Sequence, residues 1–173
     1  NTQTERSMLL DRSIVHHVEG KMMTGDTIYY DKRIGFGEVL GEMVMSDSTQ
    51  KITLTGEYGP MWEEDSRGYA TDSALMIDWS DTAHIAYIHA DTLFTEELHY
   101  TDSALMDSTY RRARAYFGVR VFRDDMQMTC DSMVYIGADS TMHLYTDPIC
   151  WSENQQIAAD SITVYIVNGT VDH

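Results

Sequence analysis

Residues 116–171 read YFGVRVFRDDMQMTCDSMVYIGADSTMHLYTDPICWSENQQIAADSITVYIVNGTV, and apolar and polar side chains alternate through most of that stretch. Phe117, Val119 and Val121 fall on one face of a strand, with Gly118, Arg120 and Phe122 on the other. Ile162, Val164 and Ile166 repeat the period of two, the spacing of a pleated strand with one buried face. Short polar turns break the runs, and Asp-Ser pairs stand at strand-like starts: Asp131-Ser132, Asp139-Ser140 and Asp160-Ser161. Such a series of short strands folds as a long sandwich or half-open roll, or stacks as a solenoid.

The rest of the chain reads the same way. Residues 7–31 give two strands joined near Gly20-Lys21, and 33–45 a third whose glycines 35, 37 and 41 imply a bulge, a bend or close backbone approach. After a turn at 46–50, Ile52, Leu54 and Gly56 alternate with Thr53, Thr55 and Glu57. The polar run GPMWEEDSRG, 59–68, is expected to be a loop, and 69–79, 83–95 and 98–106 to be strands. The segment AHIAYIHADTLFTEELHY holds enough Ala and Glu for a short helix, yet turn signals arrive about every ten residues, which favours strand. Residues 107–110 are expected to turn into the arginine-rich strand. Near the end, Val167-Asn168-Gly169-Thr170 is a two-residue hairpin signal, because Asn and Gly accept positive φ. The returning strand is short, so residues 1–173 are read as a single domain belonging to a longer chain.

Four near-copies of one word occur: TDSALM twice, CDSMVY and ADSITV, with aspartates at 72, 102, 131 and 160. GDTIYY at Gly25 and ADTLF at Ala90 fall off that ladder. An aspartate entering a strand can accept hydrogen bonds from the preceding turn, and stacked units would bury faces that none buries alone. The ladder therefore also admits a right-handed β-solenoid.

Composition narrows the function. The formal net charge of −16 argues against nucleic acid as a partner. Arg111, Arg112, Arg114, Arg120 and Arg123 are nonetheless packed together, as a strip for anionic head groups or an acidic partner, or as a solvated strand face. Twelve methionines suit an interior that adapts to a ligand, or a loosely specified core. Cys130 and Cys150 could pair in an oxidising compartment or stay buried thiols. The seven histidines form no HxxxH pair and join no cysteines at zinc spacing, so no metal is expected. Nucleophile elbows, Cys-His signatures and phosphate loops are missing from the sequence, so no catalytic residue is assigned, no cofactor is expected and an enzyme is not.

In ADTLF at Ala90, RRARAYFGVRVFRDDMQMTCDSMVY from Arg111 and DSTMHLYTDPICWSENQQIAADSI from Asp139, the chain resembles the OstA-like proteins of Bacteroidetes. These are relatives of the periplasmic lipopolysaccharide-transport bridge protein and of the N-terminal domain of the outer-membrane translocon. The resemblance is densest over residues 85–168, and Asp147-Pro148, Trp151 and NQQIAADSI are its most specific parts. It implies an all-β fold, an elongated, twisted β-jellyroll or V-shaped half-open roll of antiparallel strands. It implies a non-enzymatic module that holds the acyl chains of lipopolysaccharide, or another acylated lipid, in an apolar groove and passes them towards the outer membrane. Partners would be other lipopolysaccharide-transport proteins joined end to end by strand pairing, or further copies of this chain. The location implied is periplasmic, with a signal peptide outside this sequence. Groove lining falls on Ile28, Tyr30, Phe36, Leu93, Phe117, Val119, Val121, Met133, Tyr135, Ile162, Val164 and Ile166, and the five arginines would meet head groups or a partner. A first alternative is a β-solenoid carbohydrate-binding or adhesin module, which a row of exposed aromatics such as Tyr69, Trp79 and Tyr87 would favour, and a second is a hydrolase or lyase on a β-solenoid, which carboxylates clustered in one groove would favour.

Overall fold

The structure, a computed structural model, describes residues 5–16, 20–64, 66–101, 107–152, 154–167 and 170–172. These form strands β1 (Arg6–His16), β2 (Lys21–Asp31), β3 (Phe36–Asp47), β4 (Ile52–Trp62), β5 (Arg67–Ala70), β6 (Ala74–Asp78), β7 (Ala86–Ala90) and β8 (Thr92–Thr101). The second half continues with β9 (Asp107–Arg123), β10 (Met126–Ile136), β11 (Thr141–Tyr145), β12 (Ile149–Ser152), β13 (Gln155–Ala158), β14 (Ser161–Val167) and β15 (Thr170–Asp172). The expected loop at 59–68 is shorter than the sequence suggests, because β4 runs on to Trp62. Likewise 107–110 is no turn: β9 already pairs with β8 from Asp107. Strand, not helix, is found in 86–101. Asn168 and Gly169 lie outside the described residues, but Val167 pairs with Thr170 across them.

Every registered pair is antiparallel, so the right-handed solenoid, whose coils stack in parallel, is excluded. One path through the sheet runs β1-β2-β3-β4-β5-β8-β9-β10-β11-β14-β15, and a second leaves it through β6 and β7 and again through β12 and β13. The two paths are the two arms of a folded-over sheet. Strands β1, β2, β3, β4, β9 and β10 cross from one arm to the other, whereas β5, β8, β11, β14 and β15 belong to the first arm and β6, β7, β12 and β13 to the second. At about 4.8 Å per strand, each arm is on the order of 45 Å wide and only a few residues deep, an elongated jellyroll.

The fold line is a row of two-for-one bulges. Asp11-Arg12, Gly41-Glu42, Asp72-Ser73, Phe117-Gly118 and Thr146-Asp147 all have positive φ, and each pair faces a single residue on the neighbouring strand. Those single residues are Asp26, Glu57, Asp91, Asp131 and Asp160. Bulges of this kind add twist and bend a sheet. On the strands that carry the single acid, side-chain parity flips: Gly25 and Ile28 both face inward, as do Cys130 and Met133, so the acid and the next residue both point out. The acid followed by Thr, Ser or Tyr is the corner itself. The repeated word therefore works differently from the sequence reading. Asp131 and Asp160 hold corner positions, joined by Asp26 and Asp91 from the two words that fall off the ladder. Asp72 lies inside a bulge pair, and Asp102 lies outside the described residues.

Beside the corner many of the inward residues are small, among them Gly25, Gly56, Gly59, Ala70, Ala74, Ala90 and Ala115. A Cβ on Gly59 would come within 2.2 Å of the Met43 sulfur and 2.6 Å of the Tyr69 carbonyl oxygen, so the arms touch closely at the apex. Substitution at two glycines separates backbone strain from crowding. Gly118 has φ of 66°, and a Cβ added there would meet no atom within 4 Å, so Gly118→Ala should cost about 1 kcal/mol from the backbone alone. Gly41 has φ of 73° and its Cβ would sit 2.5 Å from the Asp26 carboxylate, so Gly41→Ala should lower the urea midpoint further, by about 2–3 kcal/mol in stability.

Candidate functional site

Between the arms lies one continuous apolar interior. From the first arm come Ile28, Val39, Ala70, Leu93, Ala113, Ala115, Met133, Met142, Leu144 and Val164; from the second come Met43, Leu54, Met76, Ile88, Val119, Val121, Met126, Met128 and Cys150. Met23, Met45, Ile52, Tyr135, Ile162 and Ile166 pack against them. The chemistry this surface offers is apolar solvation, much of it through thioethers with three rotatable bonds. The arms approach most closely beside the apex, where several inward residues are glycine or alanine, so the interior is a wedge. Its rim is polar: Asp78 of the second arm faces Tyr135 of the first, whose hydroxyl is pushed up by burial and further by the Asp78 charge. Arg123 is buried at the same rim and donates to Asp125 through Nε at 2.6 Å and Nη2 at 2.7 Å.

Nine of the twelve residues expected to line a groove belong to this interior or pack against it, and Tyr30 shares the strand parity of Ile28 while its hydroxyl donates to Glu63 at 3.0 Å. Phe36 and Phe117 do not. Phe117 is 66% exposed because it belongs to a bulge pair, where strict alternation ends. Phe36 stands on the outer face, 5.3 Å from Trp62 between ring centroids. The five arginines do not form one strip, since the bulge at 117–118 and strand parity scatter them. Arg112 and Arg114 are on the outer face of the first arm, Arg120 is on the outer face of the second, Arg111 has the inward parity of Ala113 and Ala115, and Arg123 is held by Asp125. Tyr69, Trp79 and Tyr87 form no row either: Tyr69 is on the first arm and Tyr87 on the second.

Sequence reasoning misses a different aromatic band. On the outer face of the first arm, rings touch in sequence from Tyr29 through Phe36, Trp62, Tyr69, Phe94 and Tyr116 to Phe117, at centroid distances of 4.8–6.4 Å. Strand register alone brings them together, so no local motif could have shown it. Arg67 lies 4.6 Å over Trp62 and Arg114 5.2 Å over Phe94. Glu96 accepts from Arg112 at 2.8 Å and pairs with Arg114 at 2.9 Å. Burial alone would raise the Glu96 carboxyl, but the Arg112 hydrogen bond and the Arg114 charge outweigh it and hold it low. Burial and the Glu38 carboxylate push the Tyr58 hydroxyl, beside Tyr69, up to about 12.

Among the described residues, each end of the wedge is an edge strand. β1 is an edge strand, and Met8, Leu9, Leu10, Ile14 and Val15 are exposed along it. Leu9 and Val15 face inward from the two arms, opposite Ile28 and Met23. At the other end the edge strands are β13 and β15, with Ile157 exposed on β13 and Tyr165 exposed on the neighbouring β14. A clip holds β1 in place: Asp31, itself buried, accepts from Arg6 Nε at 2.7 Å and from Arg33 Nη2 at 2.8 Å. Those arginines, Arg33 foremost, keep its carboxyl well below the usual range despite burial. Among the described residues one group could hold a metal ion, His84 with Asp124 and Asp125, whose ligand atoms lie within 4.8 Å of one another. Arg123 already occupies Asp125, and His84 Nδ1 is 2.7 Å from Asp124. A depression of about 350 Å³ lies at the corner between Arg12, Glu42, Glu57 and Asp72. Cys130 and Cys150 are free, buried thiols; burial pushes Cys130 up to about 11 and raises Cys150.

Neither known families nor curated proteins match the chain. The structure is similar to the crystal structure of LptH, described as the LptA-homologous periplasmic component of the conserved lipopolysaccharide transport device from Pseudomonas aeruginosa. The TM-score is 0.55 at 10% identity, over 72% of this chain and 81% of that one. At that identity the likeness establishes the fold.

The Asp31 clip sets a pH dependence. Its folded pKa is depressed, so its stabilisation is whole above the unfolded value of about 3.9 and is lost as pH falls towards the folded one. Wild type should exceed Asp31→Asn in urea midpoint by a constant margin above about pH 5, a margin that shrinks below about pH 4. At pH 8 only about a thousandth of Cys130 is thiolate, so native protein should react with iodoacetamide far more slowly than urea-unfolded protein.

Proposed function

We propose that this chain is a non-enzymatic, periplasmic lipid-binding and bridging module that carries lipopolysaccharide acyl chains between its arms towards the outer membrane. The observation that carries the reading is the interior: two facing sheets present aliphatic and thioether side chains along their whole width. The fold shared with LptH and the sequence's resemblance to OstA-like proteins support it. Ile28, Leu93, Val119, Val121, Met133 and Val164 would contact the chains deep in the wedge, with Tyr30, Tyr135, Ile162 and Ile166 nearer its open parts.

The inner faces close on one another, so an acyl chain must part the arms. Met43, Met76, Met126, Met128, Met133 and Met142 make that repacking inexpensive, because an unbranched thioether accepts several rotamers. Each buried methylene contributes about 0.8 kcal/mol, so ten of them supply roughly 8 kcal/mol. That offsets the repulsion between an anionic head group and an acidic protein. Head-group contact falls first on Arg111, which has inward parity at the rim. The bare edge of β1 would pair with the opposite end of another transport protein or of a second copy.

A photo-reactive benzoylphenylalanine at Met133 should crosslink purified lipopolysaccharide, whereas the same residue at Arg120, exposed on the outer face, should give a far weaker product. No adduct at Met133, or equal adducts at both, would overturn the proposal.

A further inference from the structure

The outer aromatic band serves no purpose in acyl burial, since it faces away from the wedge. Its rings, half-buried apart from the exposed Phe117, spread across β2, β3, β4, β5, β8 and β9 as one broad platform. Cross-strand ring contacts stabilise a sheet, but they do not call for guanidinium groups laid over them. Here Arg114 covers Phe94, and the side chains of Arg112 and Arg114 remain 36% and 31% exposed. The band carries Arg67, Arg112 and Arg114 against Glu38 and Glu96, in a chain of net charge −16. It is therefore a locally cationic surface on an acidic molecule.

Apolar ring edges, forked donors and fixed carboxylates together suit a ligand with apolar C–H faces, many hydroxyls and a few negative charges. We propose that this face, centred on Tyr69 and Phe94 and flanked by Arg112 and Arg114, binds a short anionic saccharide, a run of pyranose rings bearing carboxylate or phosphate groups. The charge distribution selects the occupant. A long polyanion such as a nucleic acid would overrun the platform and meet the row of acids at Asp91 and Asp131. A neutral sugar would gain nothing from the surplus of three arginines over two carboxylates on this face. The inference concerns the outer face and stands whether or not the wedge carries lipid.

Calorimetric titration with oligogalacturonate, with phosphorylated mannopentaose and with neutral maltopentaose tests it. At least one anionic probe should bind with a Kd below about 1 mM at low salt, weaken as salt rises, and exceed maltopentaose by about tenfold. The stronger of the two identifies carboxylate or phosphate as the recognised group. Arg112→Gln should weaken binding about tenfold, and Arg114→Lys, which keeps the charge but loses the fork, by a similar factor. Circular dichroism of both variants establishes that the sheet is intact. The proposal is overturned if neither anionic probe binds at 5 mM, if folded variants bind as well as wild type, or if a thymidine decanucleotide binds as tightly as the sugars.

Discussion

Two consecutive left-handed residues facing one extended residue form the local geometry from which the molecule follows. Eight of the ten residues in these pairs are not glycine, and each costs about 1 kcal/mol in the left-handed region. Together that is comparable to the net stability of a typical domain, about 5–15 kcal/mol. Such a row persists only because bending the sheet lets both arms bury their inner faces against each other. A flat sheet of these strands would leave Val39, Leu93, Val119 and Leu144, all nearly inaccessible here, open to water.

The same line sorts the charge. Asp11, Asp26, Glu42, Glu57, Asp72, Asp91, Asp131, Asp147 and Asp160 lie on it, all exposed, with Arg12 the one cation among them. That is half of the formal net charge of −16. Carboxylates on neighbouring strands can stand so close only because they are fully hydrated on the convex side of the bend. Three environments result: an acidic ridge, an apolar wedge inside it, and an aromatic, locally cationic face on the first arm. The acids do not intrude on the interior, which reconciles a lipid-carrying reading with a strongly acidic composition.

Alternation makes the all-β class, the inward placing of Val119, Val121, Met133 and Val164, and the resemblance to a jellyroll family legible from the sequence. The limit lies in assuming that alternation runs unbroken. Period two fails at each corner, where Asp131 and Ser132 both point outward, and inside each bulge pair, where Phe117 leaves the inner face. Glu57 also holds a corner position without the Asp-Ser spelling, so the repeated word hides part of the row. Register is the other missing quantity. It brings Phe36 beside Trp62 and Tyr69 beside Phe94, and no reading of adjacent residues contains it.

The small side chains next to the bend make the jellyroll a lever. Gly59 and Met43 lie at the pivot, while Tyr135 and Asp78 lie at the far tips of the two arms. A methyl group inserted at the pivot would be magnified into a gape several times larger at the tips, whereas the same methyl at a tip would only fill local space. The spacing of the arms is thus governed by some of the smallest residues in the chain, and enlarging Ala74 or Ala90 would force the tips apart.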